Sequence, residues 1–97
     1  MDMSRPHKLS EKEIHERLAE LGGWIYVDGA LKRSFKFPDF NAAWGFMSRV
    51  ALHAESMNHH PDWSNVYSSV SVALNTHDAG GVTELDFELA RRINRCL

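Results

Sequence analysis

A single cysteine, Cys96, stands next to the C-terminus of the 97 residues, so the chain has no internal disulfide and no thiolate cluster for zinc. A reducing, cytoplasmic compartment fits that scarcity, and a nuclear one fits equally in a eukaryote. Charge of one sign is also lacking: 11 basic against 13 acidic residues leave a formal charge of −2. Nucleic-acid readers and anionic membranes both call for a basic patch, so no direct nucleic-acid binding and no membrane association are expected. No apolar run approaches the roughly 18 residues of a membrane span, and Met1 to Ser10 lacks the apolar stretch of a secretory signal. What is present is ordinary. Hydrophobic residues at 43% and charged residues at 25% exclude disorder and fibrous architectures. The length suits one domain with one core, 1–97, in which 1–9 reads as a loose leader.

Ser10 and Glu13 make an S-x-x-E capping box, and Ile14, Leu18 and Leu21 recur at i, i+4 and i+7. This predicts a helix over 11–21, ended by Gly22-Gly23. Trp24 to Val27 reads as a short strand and Asp28-Gly29 as a tight turn. Leu31, Phe35 and Phe37 then alternate with Lys32, Ser34 and Lys36, which predicts a hairpin with one oily face. Asp39 is a good N-cap for a second helix that Pro61 ends near Asn58 to His60. Its apolar positions, Phe40, Ala43, Trp44, Phe46, Met47, Val50, Ala51, Ala54 and Met57, cover an arc of about 160°, against the roughly 100° one core-facing side needs. Leu52 lies outside even that arc. The excess width predicts a neighbouring subunit; a fully buried helix in a monomer is the alternative.

From Val66 the pattern alternates again, with Val66, Val70, Val72 and Leu74 on one face and Tyr67, Ser69, Ser71 and Ala73 on the other. This is extended chain, one strand or two split near Ser68-Ser69. Asp78 to Gly81 forms a loop, and Thr83 with Asp86 repeats the cap pattern before a last helix carrying Leu85, Leu89 and Ile93. The elements imply an α+β fold of two layers: an antiparallel sheet of three to four strands with helices packed on one face.

The chemistry concentrates in the last half, where His59, His60 and His77 lie. Imidazole titrates near pH 6.5, so such a group gives or takes a proton without help. Three readings compete. The histidines are surface caps and packing groups; or they hold zinc, for which adjacent histidines are awkward and no H-x-x-x-H spacing exists; or they perform acid/base catalysis without metal.

The string Glu55-x3-His59-His60-Pro61-x5-Tyr67-x9-His77-x8-Asp86 resembles the signature of the pterin-4a-carbinolamine dehydratases, the family also known as dimerisation cofactor of a homeodomain transcription factor. The likeness extends through Phe40-Asn41-x-Ala43-x-Gly45-Phe46-Met47-x-Arg49-Val50-Ala51-Leu52 and Trp63-x-Asn65-Val66-Tyr67, and it covers nearly the whole chain from the first helix onward. It implies the order α-β-β-α-β-β-α and loss of water from 4a-hydroxytetrahydrobiopterin in tetrahydrobiopterin recycling, with pterin as substrate and with neither metal nor other cofactor. It makes His59, His60 and His77 catalytic. It lines the substrate pocket with these and Asn58, Pro61, Trp63, Asn75, Thr76 and Asp78, where Trp63 is a wall for the flat ring or else a core or interface residue. It leaves Glu55, Tyr67 and Asp86 in support: Glu55 and Asp86 orient histidines, or are a solvated helix carboxylate and a helix-start residue. The partners it implies are further copies of the chain, as homodimer or homotetramer, the aromatic amino acid hydroxylases of the pathway, and the dimerisation helices of a transcription factor. The last would make the second helix a protein-binding scaffold, a role separate from catalysis.

Overall fold

Side chains close the start of each of the three helices, as expected from their caps. In the computed structural model, which describes residues 6–97, α1 spans Glu11–Leu21, α2 Phe40–Met57 and α3 Glu84–Arg95. Ser10 Oγ accepts from the Glu13 amide while Glu13 accepts from the Ser10 amide, Asp39 accepts from the Ala42 amide, and Thr83 and Asp86 form a second reciprocal box on α3. Each bond satisfies an amide that has no partner within its helix.

Four strands, β1 (Ile25–Val27), β2 (Ala30–Lys36), β3 (Asp62–Val66) and β4 (Ser69–Leu74), pair antiparallel in the spatial order β1-β2-β4-β3. The chain thus runs α-β-β-α-β-β-α in the α+β fold expected. Asp28 and Gly29 adopt positive φ, the conformation that a two-residue hairpin turn requires. Leu31 and Phe35 of β2 and Val70, Val72 and Leu74 of β4 turn into the core. There they meet Ala43, Phe46 and Val50 of α2 and Phe87, Leu89, Ala90 and Ile93 of α3. Phe46 sits at its centre, its ring tilted against both neighbours, 4.8 Å from the Phe35 ring and 4.9 Å from Phe37.

The region around Tyr67 departs from the reading of a strand that begins at Val66. β3 starts four residues earlier, at Asp62, and the break is a two-residue hairpin turn at Tyr67 and Ser68, with Tyr67 at φ 52°. A hairpin pairs Val66 with Ser69, so both point to the same face, opposite that of Val70. Val66 is therefore 74% exposed and no part of the core. The turn is fastened from below: Ser68 O accepts from the Phe37 amide at 2.8 Å, and Asn65 Nδ2 donates to Tyr67 O and Ser69 O.

Leu9, assigned to a loose leader, is buried in the core, and its amide donates to Val82 O at 2.9 Å. Residues 1–5 of that leader lie outside the described residues. On α2, Ala43, Phe46, Val50 and Ala54 are buried while Phe40, Trp44 and Leu52 remain exposed, so the helix carries more apolar surface than one chain covers. None of the described helices is long and apolar enough to cross a membrane.

Candidate active site

The C-terminus of α2 and the C-terminal end of β4 meet because of two local features. Asn58 takes the left-handed conformation (φ 51°, ψ 42°) that ends a helix, and the His59 amide reaches back to Ala54 O at 3.0 Å. Asparagine tolerates this conformation better than most side chains, and Pro61 then forces the chain into β3. Pairing of Asp62 with Ala73 brings the segment after β4 beside the helix end. That segment is a tight cuff: Thr76 N donates to Gly81 O, and Thr76 O accepts from the Ala79 and Gly80 amides around a single 3₁₀ turn, His77–Ala79.

Between these two walls lies a cleft of about 240 Å³, with Asn58, His59 and His60 on one side and Asn75, Thr76, His77 and Asp78 on the other. A second lobe of similar volume shares Asn58, His59, Thr76 and Asp78 and extends to Pro6, Ala79 and Leu85. The three histidines that sequence spacing singled out thus face one space. Pro6, Ala79 and Leu85 were not foreseen, since nothing in their local sequence marks them; the cuff and the packing of the N-terminal segment bring them there.

His59 is anchored and His60 is not. His59 is buried, and its Nε2 lies 2.6 Å from Asp86 Oδ1. Asp86 has no exposed surface, and its Oδ2 accepts from the Thr76 hydroxyl and the Thr83 amide, both at 2.9 Å. A buried carboxylate needs such donors, because without them its desolvation costs several kcal/mol, on the order of an unpaired buried ion. Among the described residues His59 Nδ1 has no partner, yet no buried side-chain nitrogen or oxygen there is left unsatisfied. Nδ1 therefore opens onto the cleft. His60 Nε2 lies 3.2 Å from Glu55 Oε1 on the surface, with the two side chains 59% and 83% exposed, a pairing that water weakens. His77 starts the 3₁₀ turn and is exposed.

Not every residue of the signature reaches this cleft within one chain. Trp63 is half-buried against the core on the helix-facing side of β3, and Pro61 is the corner between wall and strand without lining the space. Tyr67 occupies the far hairpin turn, separated from the cleft by the length of β3, about 15 Å. A larger cavity, about 600 Å³, lies elsewhere, between α1 and α3. Two of its three arginines are engaged by carboxylates, Arg17 with Glu84 and Arg91 with Glu84 and Glu88, and no histidine lines it. Among the described residues no three His, Cys, Asp or Glu side chains are grouped to hold a metal ion.

Residues 7–96 match the family model described as pterin 4 alpha carbinolamine dehydratase. A Mesorhizobium japonicum protein provisionally named as such a dehydratase is 62% identical over 89 residues, covering 90% of this chain and 91% of its own. A Brucella ovis protein named in the same way is 52% identical over 90 residues, covering 91% and 93%. A crystal structure from Brucella melitensis, described as a transcriptional coactivator/pterin dehydratase, superposes with a TM-score of 0.90 at 50% identity, covering 93% of this chain and 98% of that one.

Proposed function

The chain belongs to the pterin 4 alpha carbinolamine dehydratase family, and from that premise we propose that it removes water from 4a-hydroxytetrahydrobiopterin, yielding the quinonoid dihydropterin of tetrahydrobiopterin recycling. The observation that carries this reading is the convergence of His59, His60 and His77 on one cleft, with His59 held from behind by Asp86. In the reaction the C4a–O bond breaks, and the lone pair of the adjacent ring nitrogen forms the new C=N bond. An acid protonates the departing hydroxyl, which leaves as water, and a base takes the proton from the ring. Each such group is typically worth about 10²–10⁴-fold in rate.

His59 presents an unpartnered Nδ1, while His60 and His77 reach the same space from opposite walls, so acid and base stand on different sides of a flat ring. Asn58, Asn75, Thr76 and Asp78 add polar groups around its edge. The chain's own groups suffice for this chemistry, with pterin as substrate rather than cofactor. Pro61, Trp63 and Tyr67 act in our reading by shaping the wall, the strand and the hairpin instead of touching the ring. A cytoplasmic homodimer or homotetramer, assembled through the uncovered side of α2, is part of the proposal.

A second reading, protein binding through α2, is favoured by the exposure of Phe40, Trp44 and Leu52. The Brucella melitensis protein is described as a coactivator as well as a dehydratase. The deciding experiment is stopped-flow ultraviolet absorbance of freshly generated 4a-hydroxytetrahydropterin, with and without the protein, chelator present throughout. Acceleration that persists under chelation and is lost in His60→Ala and His77→Ala supports the dehydratase. No acceleration by folded protein, or unchanged turnover in both variants, refutes it.

A further inference from the structure

Behind His59 runs a chain of hydrogen bonds whose direction is fixed by the number of protons available. The Thr76 hydroxyl has one proton and directs it at Asp86 Oδ2, 2.9 Å away. Thr83 Oγ1 lies 2.6 Å from Thr76 Oγ1, so in that contact the Thr83 hydroxyl must be the donor. Thr83 Oγ1 in turn accepts from the Leu85 amide at 3.2 Å. Asp86 therefore accepts at Oδ2 from Thr76 and from the Thr83 amide, which leaves Oδ1 to accept from His59 Nε2 at 2.6 Å. The order is Leu85 amide, Thr83 hydroxyl, Thr76 hydroxyl, Asp86, His59, with all proton donors aimed at the carboxylate. Thr83 and Asp86 have no exposed surface, so no water substitutes for a missing link.

We propose that Thr83 and Thr76 are positioning residues that hold the Asp86 carboxylate where Oδ1 accepts from His59 Nε2, so that the ring stays in place with the Nδ1 lone pair presented to the cleft as proton acceptor. The catalytic part of this inference rests on the dehydratase reading; the positioning part does not. Thr76 then serves the site from within the wall, and its hydroxyl proton is unavailable to a ligand. Thr83 is 24 residues from His59 in sequence and lines neither lobe of the cleft, so its influence on the reaction passes through the chain of bonds alone.

The test compares Thr83→Val, which keeps the shape and removes the hydroxyl, with Thr83→Ser, which restores it. Two readouts are taken: the ¹⁵N resonances of the His59 ring, which report the Nε2–H bond to Asp86 without substrate, and kcat and KM for the carbinolamine. Thr83→Val is expected to shift the Nε2 resonance by loosening that bond and to lower kcat about threefold to tenfold with KM within about twofold, the scale of one neutral hydrogen bond. Thr83→Ser is expected to restore both. If Thr83→Val does not fold, Thr76→Val breaks the adjoining link and carries the same expectation.

A His59 spectrum identical to that of the native protein in a folded valine variant overturns the proposal. A shifted Nε2 resonance with unchanged kcat overturns its catalytic part. If the native protein shows no dehydration, the dehydratase reading fails by itself, and the resonance measurement still decides whether the chain of bonds orders His59.

Discussion

Replacing Asp86 with Asn probes the site at its most enclosed point. The carboxylate accepts from His59 Nε2, the Thr76 hydroxyl and the Thr83 amide, and Asn keeps its outline. An amide oxygen at the Oδ2 position still accepts from Thr76 and Thr83, but as a neutral group. Each of those bonds falls from the charge-assisted range of about 1.5–3 kcal/mol to a neutral range of about 0.5–1.5 kcal/mol. Two losses near 1 kcal/mol each give a destabilisation of about 2 kcal/mol. At the Oδ1 position the new NH2 aims a donor at His59 Nε2, which must become an acceptor and carry its proton on Nδ1 instead. The cleft then meets an N–H where it had a lone pair, and a base of this kind is worth about 10²–10⁴-fold. The expected variant is thus folded, modestly weakened in urea denaturation, and deeply impaired in the carbinolamine absorbance assay. Turnover above half the native rate in a folded Asp86→Asn protein refutes the tautomer assignment, and a stability loss beyond about 5 kcal/mol refutes the claim that Asn preserves the packing.

Phe46→Ala removes a fully buried ring between Phe35 and Phe37 and should cost about 3–5 kcal/mol in denaturant unfolding; a loss under about 1 kcal/mol contradicts its place at the centre of the core. Burial pushes the Cys96 thiol up, so a thiol reagent at pH 8 should label the native protein slowly and the urea-unfolded protein quickly, and equal rates count against that burial. Hydrogen bonds from the Ser10 amide and hydroxyl hold Glu13 below the usual carboxylate range, and Arg92 and Arg91 do the same for Glu88. A depressed folded value makes the contribution full above the unfolded value, about 4.3, and removes it as pH falls through the lower folded one. The urea midpoint should therefore drop below about pH 5, less steeply in Glu13→Gln; an unaltered profile there refutes the role of Glu13.

Most of the fold was legible because its signals are local. Ser10 with Glu13, Asp39, Asp28-Gly29, Asn58 with Pro61, and Thr83 with Asp86 each mark a boundary within a few residues, and each boundary lies where these residues set it. β3 escaped because Asp62-Trp63-Ser64-Asn65 offers one apolar side chain, and strand character there comes from pairing with β4. Val66 was assigned to the wrong face because a two-residue turn inverts the alternation that a continuous strand keeps. Leu9 is a lone apolar residue in a polar segment, held by Val82 from the far end of the chain, a contact with no local trace. At the site, the histidine spacing was visible and its meeting point followed from topology. Asp86 stood between two readings, a carboxylate that orients a histidine and a helix-start residue, and the structure gives it both places; its complete burial was not legible, since the same T-x-x-D also caps exposed helices.

That double use of Asp86 ties assembly to function. As the third residue of α3 it closes the helix start with Thr83 through Oδ2, and with Oδ1 it sets His59 across from a different element. Unwinding the first turn of α3 therefore dismantles the cleft at the same moment, however intact the sheet remains. A chain that has collapsed but not yet wound that turn carries the histidines without a site, so activity during refolding should appear no earlier than that turn, whatever the state of the rest.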